Sequence, residues 1–170
     1  MGVAIAAVKE LFGQGGYRTY ARAIGRHPVT FHAAISDRNT RINSLVGFGC
    51  HLLRQAQKAG LDPHDLLEAA AQDDLPVYDD RNGVQFTLEN LLGPDAVTAL
   101  ARSIPLTKAE VSNHITRDDA RHLPHFRLFA VVLLALKQQG YEPRSLVESW
   151  SGPPRRERRR RTPAESHAHG

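Results

Sequence analysis

The chain has a single cysteine, few aromatic residues and no long apolar run. Because Cys50 has no partner, an internal disulfide is excluded and a reducing interior is favoured. Aromatic residues make up 6% of the 170 residues, while Ala and Leu are plentiful, which favours a helical protein. The apolar run over residues 1–8 is too short to span a bilayer and leads directly into Lys9. We therefore expect an all-α, soluble, cytoplasmic protein with no membrane partner.

The sequence also lacks the patterns that mark common enzyme active sites. It contains no Gly-rich phosphate loop, no zinc-protease pair and no cysteine cluster, and its histidines are not grouped with Ser and Asp. His122 and His125 have a spacing found in some metal sites, but no cysteine or clustered acid accompanies them. We expect a protein that is not an enzyme and that needs no metal or other cofactor.

Residues 21–68 reappear in altered form 80 positions later, at residues 101–148. Without a gap, Ala21-Arg22-Ala23-Ile24 pairs with Ala101-Arg102-Ser103-Ile104, and Gly60, Pro63, Leu66 and Glu68 pair with Gly140, Pro143, Leu146 and Glu148. A repeat of this length is a whole small domain, because solenoid repeats have periods of roughly 20–50 residues. We expect one domain at 1–70, a linker at 71–85, a second domain at 86–150 and a basic, disordered tail at 151–170.

Apolar spacing and turn residues predict five short helices in each copy. In the first copy they cover residues 3–12, 17–24, 28–36, 44–59 and 63–70, with Ser44 as a helix N-cap. In the second copy they cover 86–92, 96–104, 108–116, 124–139 and 143–150, with Asp95 as an N-cap. The acidic linker carries the turn signals Pro76 and Asn82-Gly83.

Each copy resembles the Cro and phage-repressor helix-turn-helix family, often called XRE-type. Residues 21–25 resemble its second helix and turn glycine, 30–36 the start of its recognition helix, and 44–67 its fourth and fifth helices. The matching stretches of the second copy are 100–104, 110–116 and 140–147. The resemblance implies two tandem five-helix, lambda-repressor-like domains whose third helix enters the DNA major groove. Pro105 stands where the turn glycine is expected, so we expect a different turn in the second copy.

The resemblance also assigns candidate contacts to double-stranded DNA. In the second copy the candidate base readers are Thr107, Lys108, Ser112 and Asn113, since Asn can pair with adenine and Lys can donate to guanine. In the first copy the polar candidates are His27, Thr30 and His32. The loop after each third helix is expected to approach phosphates through Arg38, Asn39 and Arg41, and through Arg117 and Arg121. The tail is expected to add salt-dependent affinity through Arg155, Arg156, Arg158, Arg159, Arg160 and Arg161.

The segment from Phe126 to Leu136 is apolar around nearly its whole circumference. A helix with one solvent-facing side is amphipathic, so both faces of this segment must be covered. The cover is either the first copy or another protomer. We therefore expect the main contact between the copies, or a homodimer contact, at this helix.

The sequence favours a sequence-specific, nucleoid-associated transcriptional regulator from a bacterium, phage or plasmid, and repression by occluding a promoter is its simplest action. The alternative is a protein-interaction module, such as an antiactivator that sequesters another transcription factor. Thr107, Lys108, Asn113 and the basic tail favour DNA. The formal net charge of +4 does not decide the question, because the tail carries most of it and residues 87–150 are neutral. The apolar positions Pro28, Val29 and Ala33 favour the alternative.

Overall fold

A computed structural model describes residues 3–36, 40–77, 81–104 and 106–150, and these residues form ten α-helices. The first half contains α1 (Val3–Phe12), α2 (Gly16–Ala23), α3 (Pro28–Ser36), α4 (Thr40–Lys58) and α5 (Pro63–Gln72). The second half contains α6 (Gly83–Leu92), α7 (Ala96–Ser103), α8 (Lys108–Thr116), α9 (Leu123–Gln138) and α10 (Pro143–Glu148). The prediction of an all-α chain is confirmed for this part of the sequence. Within it, no helix combines the length and apolarity that a membrane span requires.

Four of the five helices begin at equivalent positions in the two halves. The starts of α1, α2, α3 and α5 recur 80 residues later as the starts of α6, α7, α8 and α10. Proline occupies the first position of both α5 and α10, where its missing N–H has no helical partner to lose. The residues before these prolines, Asp62 and Glu142, accept hydrogen bonds from the first backbone N–H groups.

The predicted starts of α4 and α6 were wrong by four and three residues, whereas α7 begins at the predicted Ala96 but without the predicted side-chain cap. Helix α4 begins at Thr40, so Ser44 lies inside it, 1% exposed, and is not its N-cap. Asp95 makes no capping bond to α7, because its carboxylate accepts two hydrogen bonds from the Arg144 guanidinium instead, at 3.0 and 2.5 Å. Helix α6 begins at Gly83, since the Asn82 side chain accepts from the Gln85 N–H at 2.8 Å. Asn is favoured both in turns and at N-caps, which explains the misreading.

The turn between the second and third helices differs between the halves, as predicted from Pro105. In the first half Gly25 has φ of 67°, a left-handed conformation that glycine adopts without strain. In the second half Ile104 ends α7 with an extended backbone, φ −101° and ψ 131°. A residue before proline is driven out of the helical region by the proline ring, so the extended conformation follows from the sequence. Pro105 itself lies outside the described residues.

The two long helices α4 and α9 pack against each other at the centre of the protein. Helix α9 also packs on α5 and α6, and its core side chains Leu128, Phe129, Val132 and Leu133 are fully buried. The rings of Phe48 and Phe129 meet edge to face, 4.8 Å between centroids. The first half therefore covers the apolar segment 126–136 within one chain. The homodimer contact at the same helix stays a prediction.

We call the contact between the two halves the seam, and equivalent residues take part in it reciprocally. At one end, the Arg41 guanidinium of the first half pairs with Glu110 of the second at 2.6 Å. Arg121, the equivalent of Arg41 80 residues later, accepts a hydrogen bond at its carbonyl oxygen from Arg26 of the first half, also at 2.6 Å. The start of α4 thus contacts α8, the third helix of the second half. The start of α9 lies beside the turn that precedes α3, the third helix of the first half.

A second pair of contacts lies further along the seam and also involves equivalent positions of the two long helices. The Arg127 guanidinium on α9 pairs with Asp73, just past the end of α5, at 2.8 Å. Its equivalent on α4, Gly47, lies beside Trp150, just past the end of α10. Contacts in which equivalent positions exchange partners are isologous, the arrangement produced by a twofold axis. Some contacts of the seam are therefore roughly reciprocal, although the packing of α5 on α9 has no equally close counterpart between α10 and α4.

Candidate nucleic-acid interface

The third helix of the first half presents an outer face that mixes small apolar and polar side chains. Phe31 and Ile35 are buried, whereas Thr30, His32 and Ala33 are exposed and Val29 is 69% exposed. The His32 ring packs on Tyr17, 4.6 Å between centroids, so its position is set by α2. His27 is exposed in the turn before the helix. The predicted base readers His27, Thr30 and His32 thus lie together at the surface, next to apolar neighbours.

The third helix of the second half, α8, presents a polar outer face on a firmly capped helix. The Thr107 hydroxyl oxygen accepts from the Glu110 N–H at 3.1 Å, and the Glu110 carboxylate accepts from the Thr107 N–H at 2.8 Å. This capping box fixes the first turn, where a recognition helix meets base edges. Lys108 and Asn113 are exposed, and Ser112 is half-buried. Thr107 therefore acts first as the N-cap of this helix.

The predicted phosphate contacts divide into three groups. Arg117 and Arg121 are exposed around the loop between α8 and α9. Arg41 is committed to the seam through Glu110, whose pKa is lowered mainly by its hydrogen bond from the Thr107 backbone and also by the Arg41 charge. The remaining predicted contacts lie outside the described residues: Arg38, Asn39, Arg155, Arg156, Arg158, Arg159, Arg160 and Arg161.

Charge is separated along the first half. Residues 13–36, which contain α2 and α3, carry Arg18, Arg22 and Arg26 and no Asp or Glu. Residues 59–80, which contain α5, carry no Lys or Arg and the seven acids Asp62, Asp65, Glu68, Asp73, Asp74, Asp79 and Asp80. A polyanion is attracted to the first segment and repelled by the second. The charge distribution therefore makes the α2–α3 side of this half the more favourable one for a polyanion.

A group of residues at the seam was missed by sequence reasoning as a site. Around the start of α9, His122 is 7% exposed and His125 is 2% exposed. The His122 ring lies 4.9 Å from that of His114 and 5.7 Å from that of His125, measured between centroids. The signal was present in the repeat, because the equivalent positions in the first half are Ala34, Ile42 and Leu45. A polar residue at the position of a core residue is a mark of local function.

Burial keeps these histidines neutral. The pKa of His122 is lowered to about 4 and that of His125 to about 3, in both cases mainly by burial. The charge of Arg26 and the neighbouring histidines contribute to both shifts, and Arg121 and Arg41 contribute to that of His122. The pKa of His114 is lowered as well, mainly by burial, and Glu110 partly opposes that shift.

No protein family, curated protein or solved structure matches this chain.

Proposed function

We propose that this protein is a sequence-specific DNA-binding regulator that uses two tandem helix-turn-helix domains, with repression by promoter occlusion as its action. The observation that carries the proposal is α8, a short, capped helix with Lys108 and Asn113 exposed on its outer face. Lys donates to guanine O6 and N7, and Asn pairs bidentately with adenine, so these two side chains suit direct reading of a base sequence. Such a protein acts on the nucleoid.

The reciprocal seam supports a particular kind of DNA site. We infer from the partly reciprocal contacts that the halves are arranged about an approximate twofold axis, so that α3 and α8 run in opposite senses about it. Two half-sites read by such helices are inverted repeats rather than direct repeats. Since α3 and α8 carry different side chains, the two half-sites differ in sequence. The expected operator is an imperfect palindrome bound by one chain.

A protein-interaction module is the second candidate, and one observation favours it. Val29 is 69% exposed at the start of α3, next to the exposed Ala33, so the first half has an apolar patch where a DNA reader is usually polar. Small apolar patches of this kind are used in protein contacts. In this role the protein would sequester a transcription factor as an antiactivator.

A binding selection separates the two functions. The purified chain is incubated with random duplex DNA and with fragments of the region upstream of its own gene, and bound sequences are recovered and footprinted. The proposal predicts a single enriched motif with two inverted, unequal halves. Failure to enrich any motif at low and moderate salt would reject the proposal in favour of the interaction module.

The readers are tested on the enriched motif. Replacing Lys108 and Asn113 together by Ala should abolish the preference for the motif over unrelated DNA, and the helical content should stay unchanged by circular dichroism. A matched control replaces the exposed Lys58 and Lys137 by Ala, at the ends of the two long helices, and should keep the preference. Equal specificity in both double variants would reject Lys108 and Asn113 as readers.

A further inference from the structure

One end of the seam brings positive groups from both halves together. Arg26 precedes α3 and Arg41 lies in the first turn of α4, while the second half contributes the end of α8 and the start of α9. Arg26 donates to the Arg121 carbonyl oxygen at 2.6 Å, which draws the two arginines together. We call this group the seam cluster, and its members are Arg26, Arg41, His114, Arg121, His122 and His125.

The positive charge of the seam cluster exceeds the negative charge placed against it. Among the described residues, Glu110 is the carboxylate that forms an ion pair with the cluster, through Arg41 at 2.6 Å. Neither Arg26 nor Arg121 has an ion pair within that part of the chain, although Asp118 and Asp119 lie in the same loop as Arg121. Burial and the neighbouring Arg121 charge both lower the pKa of Arg26. Two like charges held close together are stabilised by an anion between them.

The histidines make the cluster a better site for an anion than for a cation. His122 and His125 each have a buried Nδ1 atom that finds no hydrogen-bond partner among the described residues, so polar capacity is unused beside the arginines. Three adjacent histidines suggest a metal, but the arginines around them repel cations. Within the described ranges, no three His, Cys, Asp or Glu side chains are arranged to hold a metal ion. The neutral rings instead form an uncharged layer, and charge interactions at a poorly solvated surface are stronger than in water.

The position of the cluster indicates which anion it meets. It lies at the seam, beside the turn before α3 and beside α8, the two elements that carry the candidate base readers. Arginine binds phosphate with two parallel N–H···O bonds, and it is the preferred side chain for that purpose. Since the seam lies between the two third helices, we expect a backbone phosphate of a duplex that contacts both helices to pass close to it.

We propose that the seam cluster binds a backbone phosphate of DNA between the two third helices, with Arg26 and Arg121 as its principal contacts. The choice of DNA as the source of the phosphate rests on the proposed function. Since the two arginines come from different halves, the site exists only when the halves are docked. One phosphate contact would then hold both domains in the arrangement that reads DNA.

The test replaces Arg26 and Arg121 together by Gln, which removes two charges but keeps a polar side chain with hydrogen-bond donors. The matched control is Lys58→Gln with Lys137→Gln, which removes two exposed charges at the far ends of α4 and α9. Affinity for the enriched motif and for unrelated DNA is measured by fluorescence anisotropy over a series of salt concentrations. The ring of Trp150, the one tryptophan of the chain, lies 5.2 Å from the ring of His51 of the first half, measured between centroids. The fluorescence emission of Trp150 therefore reports whether the halves remain docked.

The arginine variant should bind both DNA sequences at least about tenfold more weakly, with a salt slope reduced by about 1 to 2. The lysine control should change affinity by less than about twofold. This pattern differs from that of Lys108→Ala with Asn113→Ala, which should affect the motif alone. An arginine variant that matches the lysine control, with unchanged Trp150 emission, would overturn the proposal.

A second arm uses inorganic phosphate and separates this inference from the proposed function. At matched ionic strength, millimolar phosphate should raise the midpoint of thermal unfolding of the wild-type chain above that in chloride, but not that of the arginine variant. If the wild-type chain binds no DNA and still shows this difference, the seam site takes free phosphate and the assignment to DNA is wrong. If neither DNA binding nor the phosphate effect is seen, both proposals fall.

Discussion

The third helices α3 and α8 occupy equivalent places in the two halves but expose different chemistry. Helix α8 has a capping box and exposes Lys108 and Asn113, whereas the equivalent positions of α3 are Pro28 and Ala33. Positive charge is distributed in the opposite way, since residues 13–36 contain three arginines and no acid. Under the proposed function, the comparison predicts a division of labour in which the second half reads bases and the first half supplies electrostatic attraction. Two regions with the same fold can therefore carry different side chains, and different functions, at their surfaces.

Removing polar side chains from each third helix tests this division, and we expect the largest effect here. Lys108→Ala with Asn113→Ala should weaken binding to the preferred motif on the order of 100-fold, because each good base contact is worth about 1–3 kcal/mol. Thr30→Ala with His32→Ala should weaken it less than about fivefold. Both pairs are measured by anisotropy on the same motif. Equal losses would show that α3 reads bases as well as α8 does.

The two histidines buried in the second half should make the stability of the protein depend on pH. In the folded state the pKa is lowered from 6.5 to about 4 for His122 and to about 3 for His125. Below pH 6.5 each histidine therefore binds its proton mainly in the unfolded state. Stability is therefore fully present above pH 6.5 and is lost as the pH falls toward those lowered values. The two groups together predict a loss of about 3 kcal/mol between pH 6.5 and 5. Urea unfolding at a series of pH values measures it.

The first half supplies the control for that prediction. Ile42 and Leu45 stand at the positions equivalent to His122 and His125, so His122→Ile with His125→Leu gives the second half the apolar pair of the first. The groups that face these histidines, Arg26, Arg41, His114, Arg121 and Glu110, remain in this variant. Its stability should vary much less between pH 6.5 and 5. Parallel pH curves for the two proteins would place the acid sensitivity elsewhere.

Two glycines on α4 make a matched pair for testing how closely the halves pack. An alanine methyl at Gly49 would overlap the Tyr20 hydroxyl and lie 3.3 Å from the Phe129 ring of the second half, so Gly49→Ala should lower the free energy of unfolding by about 2 kcal/mol. The same methyl at Gly47 would lie 3.4 Å from Trp150, an ordinary contact, and should raise it by up to about 1 kcal/mol. Chemical denaturation measures both.

The Tyr20 hydroxyl gives this prediction an internal check. It is buried and has no hydrogen-bond partner in the described part of the chain. Adding Tyr20→Phe to Gly49→Ala should therefore recover part of the lost stability, since it removes both the overlap and an unsatisfied group. An unchanged or lower stability in the double variant would mean that the Phe129 contact alone limits the space at Gly49.

Much of the fold could be predicted from the sequence because local signals determine it. Pro28, Pro63 and Pro143 mark helix starts, and α1, α3 and α8 have their predicted bounds. Asp95 and Ser44 failed as N-caps for a different reason. Their partners or burial are set by distant residues, such as Arg144 for Asp95, and a local pattern contains no information about these.

The candidate site was only partly predictable for the same reason. The exposed polar residues of α8 follow from helical spacing and from a family resemblance, so Lys108 and Asn113 could be proposed from the sequence. The seam cluster could not, because Arg26 meets Arg121 only after two halves separated by 80 or more residues dock. The unusual histidines at core positions were visible in the repeat, but their common location was not.

The contact between Gly49 and Phe129 has a consequence for how the proposed regulator would respond to its own abundance. These two positions are equivalent in the repeat and meet at the seam, so two second halves would oppose Phe to Phe and two first halves would leave a gap. At this contact the two different halves of one chain fit each other better than two identical halves would. A dissociating dimer occupies its operator with the square of its concentration when it is scarce, whereas this protein would do so in simple proportion to gene dosage.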